Sequence, residues 1–295
     1  MKIIDCITYY DEPLLCEVRF NTLDKFIDKF LIIEARFSHS GKKKPLKFKM
    51  ENYAKFKKKI IYHIIDNEPD DIIRGKILSS ADKRHNSIKR INQSYNEAIK
   101  ILKNFNKKDF FILSDSDEIP NLKDLDFMQI NEKIIIFKQI MFYYKFNLRY
   151  GKFYWFGSKA CKIGDLISPQ WLRYIKAKQY PFWRLDTLFS SVKYSSVKII
   201  ENGGWHFSNL KTPKKILEKF KNFGHHNEYD DHKINIKHVH HMLKNRLVTY
   251  DHSMDQKNAN KVFGANYLLS KENISSLPQY IEKNRKLSRF KRFIV

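Results

Sequence analysis

The sequence is poor in glycine, proline and cysteine. Its 9 glycines and 8 prolines among 295 residues exclude collagen-like and linker-like proteins. The cysteines, Cys6, Cys16 and Cys161, are too few and too widely spaced for a disulfide framework or a zinc cluster, and they favour a reducing compartment. No run of 18 apolar residues occurs, so no transmembrane helix is expected, and Asp5 interrupts any signal-peptide core. A cytoplasmic location fits these absences best.

Acidic residues are also scarce relative to basic ones. The net charge of +24 comes from 56 Lys and Arg against 32 Asp and Glu. A surplus of this size suits an anionic partner such as nucleic acid, acidic lipid, acidic polysaccharide or nucleotide phosphate. Heavy use of Lys, Ile, Asn and Phe also fits drift in an AT-rich genome, in which case much of the charge lies on a solvated surface. The hydrophobic content of 42% is enough for one large domain, or one domain plus an extension.

Strand-like and helix-like segments alternate through the first part of the chain. Short apolar runs at residues 2–7, 30–35, 59–66 and 109–113 predict buried strands. From Glu12 onward, apolar residues recur at helical spacing. This alternation predicts an α/β protein with a largely parallel sheet.

The clearest helix prediction covers about residues 82–105. Apolar residues follow one another there at intervals of 3, 4, 3, 4 and 3, and Ser80 or Asp82 can cap the helix. Thr212-Pro213 predicts the start of another helix, because proline is favoured at the first position. The aromatic-rich stretch 132–205 is expected to form short strands and loops.

An acidic cluster, SDSDE at residues 114–118, directly follows the strand predicted at 109–113. In open α/β sheets, ligands bind beyond the carboxyl ends of the strands. Asp115 and Asp117, two residues apart, can both approach one divalent cation, which would offset the charge of a departing nucleotide diphosphate. The alternative is an acidic solvated turn with a helix cap. The preceding strand and the Ile-Pro that follows favour the metal site.

Five sequence blocks together resemble glycosyltransferase family 17. They are IDCITYYDEPLLCEVRFNTLDKFIDKFLIIEA, SHSGKKKPL, RHNSIKR, FFILSDSDEIP and GGWHFSNL, in order over roughly residues 3–228. The resemblance implies an α/β, GT-A-like (Rossmann-like) fold, with a mixed, mainly parallel sheet flanked by helices. It also implies a nucleotide-sugar donor, usually UDP-N-acetylglucosamine, a divalent metal such as Mn²⁺ or Mg²⁺, and inversion at the anomeric carbon.

The resemblance also suggests residues around the donor. His206 is expected to complete the metal shell of Asp115 and Asp117, because imidazole is an acceptable ligand of Mn²⁺. The alternative is a histidine satisfied within a turn. Ser116 is assigned to the donor site. Trp205 could stack on a sugar face, but a tryptophan of the core is the more common case.

Two further segments are candidates for donor binding. Arg84, His85 and Asn86 lie near the start of the long predicted helix, where backbone N–H groups favour phosphate. Simple solvation of the helix start is the alternative. Glu34 ends a predicted strand at the same sheet edge and could hold a ribose or base, unless it is only a charge at the end of a strand.

An inverting transfer needs a general base to deprotonate the acceptor hydroxyl. Asp186 in PFWRLDTLF and Glu228 in HHNEYDD are the candidates, and neither motif decides between them. Six of the 11 histidines fall in residues 225–241. Their spacing matches no zinc motif, so a polar surface loop is expected there.

The predicted organisation is a glycosyltransferase domain over residues 1–228 and a basic, His-rich, helical or irregular extension over 229–295. The tail at 283–295 carries six basic residues. As a helix it would place Leu287, Phe290, Phe293 and Ile294 on one side, a pattern that suits an anionic membrane surface. A frayed, solvated terminus is the alternative.

The sequence therefore predicts a metal-dependent inverting glycosyltransferase that moves N-acetylglucosamine from a UDP-sugar onto a glycan or glycolipid acceptor. A basic nucleic-acid-binding protein or metal-dependent nuclease is the main alternative. Against it, the lysines are spread over several segments and no helix-turn-helix, RNA-recognition or zinc-finger pattern occurs. A non-catalytic sugar-binding protein of the same fold is the third hypothesis, and the intact D-x-D argues against it.

Overall fold

The computed structural model describes residues 1–181, 183–187, 189–222, 233–250, 252 and 263–295. The strands, in chain order, are β1 (Ile3–Thr8), β2 (Lys29–Ala35), β3 (Ile60–Ile65), β4 (Phe110–Asp115), β5 (Glu118–Pro120), β6 (Ile134–Phe137), β7 (Gln139–Tyr143), β8 (Leu148–Trp155), β9 (Lys159–Lys162), β10 (Val197–Ile200), β11 (Gly204–Ser208), β12 (Leu247–Tyr250), β13 (Phe263–Leu268) and β14 (Ser270–Lys271). The helices are α1 (Pro13–Leu23), α2 (Ser80–Asn96), α3 (Ala98–Leu102), α4 (Pro169–Tyr174), α5 (Pro213–Asn222), α6 (Ile236–Asn245), α7 (Gln279–Asn284) and α8 (Ser288–Lys291).

The main sheet has the strand order β10-β6-β9-β4-β1-β2-β3 within the described residues. Its neighbouring strands are parallel except at β9, which runs antiparallel to both β4 and β6. Alternate residues of the central strands belong to two separate hydrophobic clusters, so both faces of the sheet are covered. This is the α/β, mixed and mainly parallel, GT-A-type architecture that the resemblance implied.

Helices cover the two faces of the main sheet. One cluster joins the sheet to α1, α7 and α8, and the other joins it to α2, α3 and α4. The long helix predicted over 82–105 is in fact α2 followed by α3. It starts earlier than expected because Ser79, rather than Ser80 or Asp82, is the cap: the Ser79 hydroxyl accepts from the Asp82 N–H, and the Asp82 side chain accepts from the Ser79 N–H.

A second sheet includes β5, which starts at Glu118, the last residue of the acidic cluster. Its order is β14-β8-β7-β11-β5 within the described chain. The antiparallel pairing of β5 with β11 sets His206 opposite Glu118. Helices α5 and α6 pack against this sheet through Ile216, Phe220 and Met242. The helix predicted at Thr212-Pro213 is α5, and it starts at Pro213.

The C-terminal tail packs into the first core cluster. The Phe290 side chain is fully buried against Phe146 and Tyr280, and Phe293 is 7% exposed. The prediction that the apolar side of the tail faces a membrane is therefore wrong for these two phenylalanines. Nor is any helix in the described ranges both long and apolar enough to cross a bilayer.

The predicted domain boundary at residue 228 stays a prediction, since 223–232 lie outside the described residues. Strand β14, from the predicted extension, pairs with β8, and α7 contacts α1. Of the six histidines predicted to form a surface loop, three lie outside the described residues. The other three, His238, His240 and His241, belong to α6 and not to a loop.

Candidate active site

A cleft of about 510 Å³ opens at the carboxyl ends of the central parallel strands. Thr8, Ala35 and Asp115, the last residues of β1, β2 and β4, all line it. A cavity of about 610 Å³ lies at the opposite end of β4, beside Met1 and Phe110. Ligands of open α/β sheets bind at the carboxyl ends, so the smaller cleft is the candidate site.

Asp115 ends β4 and faces the cleft, with a side chain that is 33% exposed. One carboxylate oxygen accepts a hydrogen bond from the Tyr95 hydroxyl at 2.9 Å, and the other is paired with the Arg173 guanidinium. Burial raises the pKa of Asp115 to about 6, although Arg173 opposes the rise. Asp115 is therefore held by protein partners on both of its oxygens.

Glu118 lies behind Asp115 and is fully buried. It accepts hydrogen bonds from the Asp115 N–H at 2.9 Å and from the Trp155 indole at 2.6 Å. Arg173 from α4 contacts both of its carboxylate oxygens, at 2.9 and 3.1 Å. Burial raises the pKa of Glu118, but the Arg173 charge outweighs it and the pKa falls below its usual value. Arg173 thus links Asp115 to Glu118, the first and last residues of the acidic turn at 115–118.

Asp117 lies on the other side of the turn, between His206 of β11 and Lys219 of α5. Its Oδ1 is 3.4 Å from His206 Nε2, and its Oδ2 accepts from Lys219 Nζ at 3.1 Å. Burial opposes ionisation, but Lys219 and His206 hold the pKa of Asp117 well below its usual range. Burial likewise opposes charge on Lys219, yet Asp117 raises the pKa of this lysine. The pair is therefore an ionised carboxylate beside an ammonium.

Glu12 supports the turn from the loop before α1. Its carboxylate accepts from the Ser116 hydroxyl at 3.0 Å and from the Asp11 N–H at 2.8 Å, and it pairs with Lys211 at 2.9 Å. Ser116 lines the cleft as predicted, but its hydroxyl is directed to Glu12. These contacts fix the backbone between the two aspartates.

Two residues of the predicted metal trio lie together. Asp117 and His206 present a carboxylate oxygen and an imidazole nitrogen to the cleft, and both ligand types suit Mn²⁺. No three His, Cys, Asp or Glu side chains converge on one point in the described part of the chain. The pair would supply two ligands to a divalent cation, and the rest of its shell would have to come from other groups. Asp115 also lines the cleft, where its oxygens contact Tyr95 and Arg173, and its place in the metal shell stays a prediction.

Of the three residues predicted for donor binding on α2, one contributes to the cleft. Arg84 lines it, whereas His85 is exposed elsewhere on α2. Asn86 is buried and makes two hydrogen bonds to the backbone of Ile73, at 2.8 and 2.9 Å, so it fastens a loop. Since α2 begins at Ser80, these positions lie in its second turn, where backbone N–H groups bond within the helix. The predicted backbone phosphate site is therefore not formed there.

The donor-binding predictions for Glu34 and Trp205 also need correction. Glu34 is fully buried, and its carboxylate accepts from Lys44 Nζ at 2.6 Å, the Tyr62 hydroxyl at 2.8 Å and the Phe48 N–H at 3.0 Å. It therefore anchors a loop and does not reach the cleft. Trp205 precedes His206 on β11, so strand alternation directs it to the other face, where its indole donates to the Ser276 carbonyl at 2.7 Å.

Of the two predicted bases, only Asp186 lies in the described part of the chain, and it does not line the cleft. Asp186 is 39% exposed and pairs with Arg184 at 2.7 Å and Lys193 at 3.0 Å, outside the residues that line the cleft. These partners lower the pKa of Asp186 below its usual range, which makes it a weak proton acceptor. Its assignment as the base is corrected accordingly. Glu228 lies outside the described residues.

An aromatic wall extends from His206 along the cleft. The Trp155 ring lies 5.1 Å from the His206 ring, and Tyr143, Tyr250 and His252 continue the wall. His252 Nε2 lies 2.6 Å from the Tyr143 hydroxyl. Such rings offer apolar surface beside the polar groups of a ligand site.

Comparison with known proteins supplies the family. A family model described as Glycosyltransferase family 17 matches residues 1–245. The chain belongs to glycosyltransferase family 17. This membership confirms the resemblance drawn from the five blocks, and it favours glycosyl transfer over the nuclease alternative.

Three curated relatives of this family-17 chain are named beta-1,4-mannosyl-glycoprotein 4-beta-N-acetylglucosaminyltransferase. The proteins of Rattus norvegicus and Homo sapiens are each 24% identical to it over 246 aligned residues, which cover 74% of this chain and 42% of the relative. The protein of Mus musculus is 23% identical over the same coverage. The chain thus spans about two fifths of the length of these relatives.

Several cleft residues of this family-17 chain were missed by sequence reasoning. They are Glu12, Tyr95, Trp155, Arg173 and Lys219. The sequence did contain a pattern that could have predicted Lys219. Lysines recur at every fourth residue, the spacing of one side of a helix: Lys211, Lys215 and Lys219. In the structure these lysines pair with Glu12, Asp11 and Asp117. Arg173, by contrast, stands in an unremarkable short helix.

Proposed function

We propose that this chain is a metal-dependent inverting glycosyltransferase that moves N-acetylglucosamine from UDP-N-acetylglucosamine to a glycan or glycolipid acceptor. The observation that carries the proposal is the pairing of Asp117 with His206 in a cleft at the carboxyl ends of parallel strands, in a chain of family 17. The names of the relatives, which specify N-acetylglucosaminyl transfer and a mannosyl-glycoprotein, support the choice of sugar and of a glycan acceptor.

Asp117 and His206 would hold a divalent cation, Mn²⁺ or Mg²⁺. When bound, such an ion supplies positive charge to the leaving diphosphate and so favours its departure. The protein keeps these ligands in place through the pairing of β5 with β11 and through the hydrogen bond from Lys219 to Asp117. On the other side of the turn, Arg173 offsets one of the two carboxylate charges of Asp115 and Glu118, which reduces the negative charge that a phosphate group meets.

The proposed transfer is a single displacement. The bond between C1 of the sugar and its phosphate oxygen breaks, and the electron pair stays on the phosphate. The acceptor hydroxyl oxygen bonds to C1 from the opposite face, and its proton passes to a general base. Because Asp186 lies away from the cleft, Glu228 stays the predicted base. The wall of Tyr143, Trp155 and Tyr250 would pack against the sugar rings.

The test is release of UDP from UDP-N-acetylglucosamine, with Mn²⁺ and in excess EDTA. Asp117→Asn is expected to lower the rate by at least about 100-fold, because removal of one group that stabilises developing charge costs this much. Asp186→Asn is the matched control and is expected to keep the wild-type rate, since this carboxylate is exposed and does not line the cleft. Equal rates for the two variants, or full activity in EDTA, would contradict the proposal.

A membrane contact and a cytoplasmic location stay parts of the proposal. The contact would rest on charge alone, because Phe290 and Phe293 are buried. The six basic side chains of the tail are exposed: Lys283, Arg285, Lys286, Arg289, Lys291 and Arg292. Binding to phosphatidylserine vesicles is expected at low salt and not at high salt. Binding that high salt leaves intact would refute a purely electrostatic contact.

A further inference from the structure

Lys219 differs from Arg173 and Lys44, two other cations of the cleft, in the number of protein groups that it contacts. Arg173 contacts Asp115, Glu118 and the Gly157 carbonyl, and Lys44 is bonded to Glu34. The Lys219 ammonium makes one hydrogen bond among the described residues, to Asp117. An ammonium has three N–H donors, so two of them have no acceptor among the described residues and can serve a ligand.

The position of Lys219 is set by the packing of α5. Ile216 and Phe220 are buried in the third core cluster, which fixes the helix against the second sheet. Lys219 then lines the cleft with 21% of its side chain exposed. A long charged side chain held in a cleft, with its head near solvent, can meet a ligand without a large rearrangement.

Lys219 and His206 use different oxygens of Asp117. Lys219 contacts Oδ2, and His206 faces Oδ1. A cation held by Oδ1 and the imidazole would therefore leave the Lys219 contact in place. Two positive charges could then flank the same phosphate group, one of them supplied by the chain itself.

We propose that Lys219 binds the β-phosphate of the nucleotide-sugar donor and is a built-in counter-charge for the leaving diphosphate, beside the metal pair Asp117 and His206. The inference rests on the proposed function, because it assumes a nucleoside diphosphate in this cleft. It adds that the chain favours a diphosphate over a monophosphate even without a divalent cation. The recognition would come from an ammonium group that donates two hydrogen bonds to phosphate oxygens.

The experiment compares binding of UDP and UMP by titration calorimetry in EDTA and in Mn²⁺. Wild-type protein is expected to bind UDP about 10- to 100-fold more tightly than UMP in EDTA, the range for a hydrogen bond to a charged group. Lys219→Met should abolish this preference, and Lys219→Arg should keep most of it. Lys214→Met is the matched control, because Lys214 is exposed on the same helix and the charge change is identical.

Lys219→Gln guards against a folding defect, since its amide can still donate to Asp117 but carries no charge. The ratio of the two dissociation constants is the readout, because misfolding weakens both ligands together. A neutral variant that keeps the wild-type preference in EDTA overturns the inference, as does a wild-type protein that shows no preference there. The proposed function fails separately, if no tested nucleoside diphosphate among UDP, GDP, CDP and ADP binds in Mn²⁺.

Discussion

Replacement of Arg173 by methionine tests how the acidic turn is held together. Arg173 is 13% exposed and pairs with Asp115 and with the fully buried Glu118. Methionine keeps much of the volume but removes the guanidinium. Two carboxylates then remain side by side, with only the Tyr95 hydroxyl, the Trp155 indole and one backbone N–H as donors.

The expected loss is about 3–5 kcal/mol of unfolding free energy at pH 7.5, the usual cost of removing one partner of a buried ion pair. The pH dependence follows from the carboxylates. Without Arg173, burial and mutual repulsion raise the folded-state pKa of Glu118, which Arg173 now holds low, and raise that of Asp115 further. Carboxyl groups with a raised folded pKa favour the folded state below their unfolded pKa of about 4 and disfavour it as pH rises. The loss should therefore shrink as the pH falls to 5.

Urea denaturation at pH 7.5 and pH 5 measures this loss, with an unchanged m-value as the sign of a comparable transition. The double variant with Arg173→Met and Glu118→Gln is the control, since it removes one of the two unpaired charges. It should recover part of the stability. A loss below about 1 kcal/mol at pH 7.5, the value of a surface pair, would refute the reasoning. A loss that is as large at pH 5 would also refute it.

Three further outcomes are expected from denaturation measurements. Phe290→Ala should cost about 3–5 kcal/mol because its ring is fully buried, whereas Leu287→Ala, at a 41% exposed position, should cost far less; equal losses would mean that the tail is not packed as described. The stability gap between wild type and Asp117→Asn should narrow progressively as pH falls below about 4, because a lowered folded pKa contributes its full stabilisation above the unfolded pKa and loses it as pH falls toward the folded pKa; a gap independent of pH would contradict this. Gly204→Ala should cost more than about 1 kcal/mol, since Gly204 has φ +115° and a Cβ there would lie 2.2 Å from a carbonyl oxygen of β5. Gly75→Ala, where a Cβ would make only ordinary van der Waals contacts at 3.7 and 3.8 Å, should be nearly neutral; similar effects would argue against the close approach at Gly204.

The sequence by itself determined the central elements and the place of the acidic turn. Apolar runs predicted β1 to β4 within a few residues, because a strand buried on both faces needs an unbroken apolar stretch. The rule that parallel strands gather ligands at their carboxyl ends then placed Asp115 and Asp117 at the cleft. His206 came from the resemblance, and it does lie beside Asp117.

Only the tertiary structure decided what each charged group contacts. Arg173 meets Asp115 across 58 positions of chain, and Lys219 meets Asp117 across 102. No local pattern encodes such pairs, because they arise where separate elements converge. Periodicity also leaves open which face of a strand meets the cleft, so Trp205 and His206 could not be told apart before β11 was paired. For the same reason the sequence of an amphipathic tail does not show whether its apolar side covers a membrane or packs into the protein core. Here it packs into the core around Phe146.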